Sequence, residues 1–121
     1  MSDIDALQGI WKVTALEFDG NAMPAFMLGA ATIVVNGDHF STSGMGATYE
    51  GSVVLDAAQS PKHFTLTFDQ GPEKGNSNPG IYELDGDKWR LCLATRGGAR
   101  PTEFATKSGS GHACETLERA V

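Results

Sequence analysis

Gly80-Ile81-Tyr82-Glu83-Leu84-Asp85-Gly86-Asp87-Lys88-Trp89-Arg90-Leu91-Cys92-Leu93-Ala94 decides the fold. Two apolar-rich segments, 80–84 and 87–94, flank Asp85-Gly86, a pair suited to the positive φ angles of a two-residue type I′ hairpin turn. The opposite kind of connection follows: residues 95–111 form a long polar loop with Ser108-Gly109-Ser110-Gly111, before a last strand over 112–119. The same contrast recurs upstream. Asn36-Gly37 joins strands over 31–35 and 39–43 by a second type I′ signal. Gly44-Met45-Gly46 then breaks the chain before a strand over 48–55. Asp56 to Pro61 turns it into 63–68, where Phe64, Leu66 and Phe68 alternate with polar residues. A Gly- and Pro-rich loop spans 69–79. In an antiparallel meander alternate connections lie at opposite ends, so tight turns close one end and long loops gather at the other.

The N-terminal part completes the pattern. Residues 2–9 read as one short helix, with Ser2 as cap, Asp5 placed for a capping box and Gly9 as terminator. A strand over 10–18 follows, then a turn at Asp19-Gly20-Asn21. Pro24 to Gly29 reads as a single helical turn, with Pro at its start and Gly at its end. No helix is long enough to cover a sheet. The expected fold is all-β: one domain over residues 1–121, an eight-stranded antiparallel up-and-down barrel with a short N-terminal helix over the closed end. Closure removes the exposed sheet edges. A barrel of this size is either filled by its own side chains or holds one small ligand.

Bulk properties exclude some partners. The chain has 121 residues, 40% of them hydrophobic, which suits one globular domain and not a disordered one. The formal net charge of −6 argues against nucleic acid and against anionic membrane surfaces. The first residues, Met1-Ser2-Asp3-Ile4-Asp5, carry no apolar leader, and no apolar run is long enough to span a bilayer. Two cysteines make no disulfide framework, so the expectation is a cytoplasmic protein with reduced thiols; a secreted parent with its leader removed gives the same reading.

Strand parity assigns the interior. Trp11, Val13 and Ala15, Ile33 and Val35, Phe40, Tyr49, Val53 and Leu55 point inward. So do Phe64, Leu66 and Phe68, Tyr82 and Leu84, and Trp89, Leu91 and Leu93. The Asp85-Gly86 turn pairs Tyr82 with Trp89 and places Glu83 beside Lys88. Closing the 95–111 loop pairs Cys92 with Cys114, both outward, and Trp89 with Leu117. Three charged residues fall on inward parity: Glu17, Glu115 and Arg119.

The chain resembles known proteins. Gly9-Ile10-Trp11 is similar to the G-x-W signature of lipocalins and other calycins, in which an Arg of the last strand packs on the Trp; Arg119 falls in that place. Along nearly its full length it also resembles a small lipocalin-like family of uncharacterised proteins frequent in planctomycetes and related bacteria. The resemblance is carried by Leu7-Gln8-Gly9-Ile10-Trp11-Lys12-Val13, Gly71-Pro72-Glu73-Lys74-Gly75, Gly80 to Asp87, Leu91-Cys92 and Arg100-Pro101-Thr102-Glu103-Phe104. It implies an eight-stranded calycin barrel and no particular activity. The chain is shorter than typical lipocalins and lacks their long helix after the last strand.

The leading expectation is binding of a small, mostly apolar molecule in the barrel. Met23, Phe26, Met27, Met45 and Phe104 would form an apolar rim at the mouth, with Tyr49 beneath. Arg96 and Arg100 would take an anionic group on the ligand; their alternative is pairing with Glu73 or Glu103. No cofactor is required. A second expectation is a small hydrolase, lyase or isomerase. Glu17 and Glu115, two carboxylates facing one apolar interior, would shift each other's pKa as acid–base sites require. His112 would be a further acid–base group and Tyr49 a proton donor. A third is a filled barrel serving protein interaction, with its loop apolars as a flat patch. His39, His63 and His112 lack metal-ligand spacing, so no metal site is expected. Homodimerisation is left open by the pattern.

Overall fold

The computed structural model of the protein describes residues 3–24, 31–44, 48–71, 74–95 and 98–120. Helix α1 (Asp3–Ala6) is followed by strands β1 (Gly9–Phe18), β2 (Asn21–Ala22), β3 (Thr32–Asn36), β4 (His39–Ser43) and β5 (Tyr49–Asp56), then β6 (Lys62–Gln70), β7 (Ser77–Asp85), β8 (Lys88–Ala94) and β9 (His112–Arg119). Each long strand pairs with its sequence neighbour, and β1 pairs with β9, closing eight strands into an antiparallel up-and-down barrel. The two-residue β2 pairs with the far end of β1. Among the described residues no helix is long and apolar enough to cross a membrane.

The closed end is built from the G-x-W segment. Trp11 is fully buried, its indole Nε1 donates to the Leu7 carbonyl at 2.8 Å, and its ring meets Trp89 edge-on at 5.6 Å. The Arg119 guanidinium lies 4.3 Å from the Trp11 ring and donates to the carbonyls of Gln8 and Ala6, both at 2.6 Å. Gly9 has φ +121°, a backbone region that favours glycine, and a Cβ there would sit 3.1 Å from Arg119 Nη1, which would have to shift slightly. Helix α1 is shorter than expected, and the Ser2 cap lies outside the described residues. It nonetheless closes the barrel: Leu7 is fully buried, and Asp3 accepts from Tyr82 Oη at 2.7 Å and Lys62 Nζ at 2.8 Å.

The structure corrects the expected register in three places. Both tight turns sit one residue later than expected. Asn36 pairs with His39 and Asp85 with Lys88, so the turns are Gly37-Asp38 and Gly86-Asp87. Glycine thus takes the first turn position, at φ +67° and +59°, where glycine is free to be positive. As a result Leu84 pairs with Trp89, Tyr82 with Leu91, and Glu83 with Arg90 in place of Lys88. Second, β7 begins at Ser77, shortening the loop before it. Pro79 is tolerated because β8 pairs only from Gly80 onward, so its missing N–H removes no bond on that side.

The third correction bears on the site. A bulge between Val13 and Ala15 shifts the β1–β9 register: Val13 faces Leu117, but Ala15 faces Thr116. The extra residue reverses the parity of everything beyond it. Leu16 and Phe18 turn inward, and Ala15 and Glu17 turn outward. The β8–β9 pairing is as expected, with Cys92 opposite Cys114 and Trp89 opposite Leu117. The thiols are not reduced, however; Cys92 and Cys114 form a disulfide across the two strands.

Candidate functional site

The upper half of the barrel is hollow. A cavity of about 310 Å³ runs from Val35 and Trp89 up to Phe18, Met23 and Thr95 at the mouth. Its wall is formed by inward residues of every long strand, because period-two alternation sends each strand's apolar set to the same side. Six aromatic residues border it: Phe18, Phe40, Tyr49, Phe64, Phe68 and Trp89. Phe68 fixes two of them, with Phe40 edge-on at 5.5 Å and Tyr49 at 6.0 Å. Thr42 and Thr95 also face the cavity. The first accepts from the Tyr49 backbone N–H at 3.2 Å and the second donates to the Gly111 carbonyl at 2.6 Å.

Glu115 is the exception in this wall. It sits on β9 between Leu16 of β1 and Leu91 of β8, and it borders the cavity. The residue as a whole is partly exposed, and it also borders a groove lined by Thr14, Arg90 and Thr116. Its Oε1 is out of contact with solvent and has no hydrogen-bond partner, and the buried indole Nε1 of Trp89 is likewise unpartnered. Burial pushes the Glu115 carboxyl up to about 7, since an apolar setting disfavours the charged form. Among the described lining residues there is no Lys, Arg or His.

The other expected site residues lie elsewhere. Glu17 does not share the interior with Glu115. It faces outward, where the Thr106 hydroxyl and backbone N–H both donate to its Oε1. Those two bonds hold its carboxyl below the ordinary value. The expected carboxylate pair is therefore undone by the β1 bulge. His112 is half-buried on the outer side, its Nε2 donating to the Ala99 carbonyl at 3.2 Å. Phe104 also lies outside the barrel, packed 4.6 Å under the Arg90 guanidinium. Phe26, Met27, Met45 and Arg96 lie outside the described residues. Tyr49 and Met23 do border the cavity.

Arg100 has a different task from the one expected. Its Nη1 donates to the carbonyls of Phe64 at 2.7 Å and Gly80 at 2.6 Å, and its Nη2 to Thr65 Oγ1 at 3.3 Å. Thr65 has outward parity, so the guanidinium is on the outer surface of β6 and β7. The segment after residue 97 is thus a strap over the barrel wall. It covers Ile81, Cys92 and Ala94, all buried on the outward side. The unbroken apolar run Leu91-Cys92-Leu93-Ala94 carries this signal, since a strand covered on both faces loses its alternation. Arg100→Ala is expected to destabilise the protein by about 1.5–3 kcal/mol, the range for bonds from a charged donor. Ligand affinity should stay unchanged. Urea unfolding and a binding titration on the same variant check both, and a selective loss of anion binding would return Arg100 to the site.

Fold and chamber together define a lipocalin-like β-barrel whose apolar interior cavity has one acid among its described lining residues. No protein-family model, curated protein or solved structure matches the chain.

Proposed function

We propose that this protein binds a small, mostly apolar molecule inside the barrel. The supporting observation is the cavity itself. At about 310 Å³ it falls at the lower end of the roughly 300–1,000 Å³ range of small-molecule sites, and its wall is aromatic and aliphatic with few polar groups. A barrel of eight strands can equally be packed solid, so the empty volume favours a binder over a purely structural module. The packing of Arg119 on Trp11 behind Gly9 supports placing the chain among the calycins.

The test uses an uncharged fluorescent probe, N-phenyl-1-naphthylamine. Binding should enhance its emission at one site per chain. Ala113, inward on β9 and bordering the cavity, offers a way to fill the space from within. Ala113→Phe should weaken probe binding by about tenfold or more, the scale of one to two kcal/mol, with the unfolding temperature little changed. Equal affinity in the variant would show that the probe sits on the outer surface and would remove the reading.

A second, catalytic reading rests on Glu115 alone. A carboxyl near 7 facing a cavity is in the range of a general acid–base group, and Tyr49 borders the same space. If Glu115→Gln binds ligand as before and no turnover is lost, this reading fails.

A further inference from the structure

We propose that the ligand is cationic: a small apolar amine whose ammonium group pairs with Glu115 while its body lies among the aromatic residues of the cavity. This rests on the binding reading above and names its ligand class. Three observations converge on it. The described wall of the cavity holds one acid and no base. The acid's Oε1 is buried and no group of the site donates to it; the Trp89 indole N–H is also unpartnered. Six aromatic residues surround the same space, and aromatic faces attract cations through their quadrupole.

The alternatives fit less well. An anionic ligand would meet Glu115 with no counter-charge among the described lining residues. Of the two arginines expected to hold it, Arg100 is committed to Phe64, Gly80 and Thr65 on the outer surface, and Arg96 lies outside the described residues. A neutral alcohol could donate one hydrogen bond to Oε1 but would leave an ionised carboxylate uncompensated. An ammonium group supplies both the donors and the charge. The chain's net charge of −6 adds a weak attraction in the same sense.

The groups around Glu115 set the pH dependence. From β1 it faces Leu16 and Phe18, and from β8 Leu91 and Leu93, none of them titratable. On those two strands Glu17 and Arg90 are outward, held by Thr106 and by Glu83 with Phe104. Further inward-facing titratable groups among the described residues are Tyr49 on β5, and Tyr82 and Arg119 at the closed end. Tyr82 donates to Asp3, and Arg119 pairs with Asp87. Glu115 is therefore the group whose ionisation gates the site. Below its pKa a proton must leave before the ammonium pairs, so amine affinity should fall by up to about tenfold per pH unit on acidification and level off above it.

The experiment uses the full chain with its disulfide and three matched probes: 2-phenylethylamine, 2-phenylethanol and 3-phenylpropanoate. Calorimetric titrations at about pH 8 and about pH 5.5 read the linkage. At the higher pH the amine should bind about tenfold or more tightly than the alcohol, and the carboxylate should not bind measurably. The amine's advantage should disappear at the lower pH. Glu115→Gln should lose the amine by about tenfold or more while keeping the alcohol within about twofold, which also shows that the cavity is intact. Equal binding of alcohol and amine, or preference for the carboxylate, would overturn the cationic assignment and leave the binding reading standing. Failure of all three probes would overturn it too, and the binding reading would then be decided by the uncharged probe alone.

Discussion

Leucine in place of Glu115 is expected to stabilise the protein at pH 8 by about 3 kcal/mol and to change it little near pH 4. The sign follows from linkage. The folded-state pKa, about 7, lies above the ordinary 4.5, so between these values the folded chain holds a proton that the unfolded chain releases. Stability from this group is fully present below 4.5 and is lost as pH rises through 7. The interval of about 2.5 pH units at 1.36 kcal/mol each gives the magnitude. Asp3 and Glu17 act in the opposite direction, because hydrogen bonds lower both of their pKa values. Their stabilisation is lost as pH falls. The comparison must therefore be between wild type and Glu115→Leu at each pH, where those two contributions cancel. Urea midpoints at pH 5 and pH 8 should show the gap widening with pH. A gap of constant size would mean that the carboxyl is not buried as the structure places it.

That cost has a bearing on function. A carboxyl in an apolar wall with an unpartnered oxygen lowers stability at neutral pH, and the empty space beside it forgoes the packing that a solid core would have. Sites that break the rules of a well-packed interior are commonly those kept for binding or chemistry. Here the two departures occur together, at one place in the barrel. An amine that pairs with Glu115 should remove much of the penalty, so it should raise the unfolding temperature of the wild type more at pH 8 than at pH 5. In Glu115→Leu that difference should vanish.

Much of the barrel was legible because it rests on alternation. Cys92 opposite Cys114 and Trp89 opposite Leu117 follow from parity and loop closure, which also bring Arg119 to the end where Trp11 lies; its packing on the ring is what the G-x-W resemblance implies. Other features have no such mark. The bulge at Thr14 lies within Lys12-Val13-Thr14-Ala15-Leu16, where no glycine signals it, yet it reverses Glu17 and dissolves the expected carboxylate pair. Glu115 kept its predicted place because β9 pairs in step with β8 over its whole length. The turns at Gly37 and Gly86 were located to within one residue, since Asn-Gly-Asp and Asp-Gly-Asp each offer two ways to seat the glycine. Arg100 was misplaced for a different reason: a loop's starting point says which end of the barrel it leaves, but not which surface it then covers. The facing cysteines were legible from register, whereas their bond was not, because pairing distance alone does not fix redox state.

Trp11→Ala should cost more than any other single change at the closed end, about 3–5 kcal/mol. The ring is fully buried, and its removal takes away three things at once: the bond to the Leu7 carbonyl, the edge contact with Trp89, and the surface on which Arg119 rests. Arg119→Met keeps the aliphatic stem but loses the bonds to Ala6 and Gln8, and should cost about 2–3 kcal/mol. The ion pair with Asp87 contributes little of this, since Asp87 is well exposed. The two changes should not add. Both release the same segment between Asp3 and Gly9, so the double variant should fall short of the sum by about 1 kcal/mol or more, a coupling expected only of residues in contact. Cooperative urea unfolding of the four proteins gives the cycle directly. Additive losses would mean that Trp11 and Arg119 hold the barrel independently, and that α1 is not the element they share. Arg119→Met should leave amine affinity within about twofold of wild type, within the scatter for distant sites. The chamber lies in the other half of the barrel, so the residues that close this protein are separate from those proposed to read its ligand.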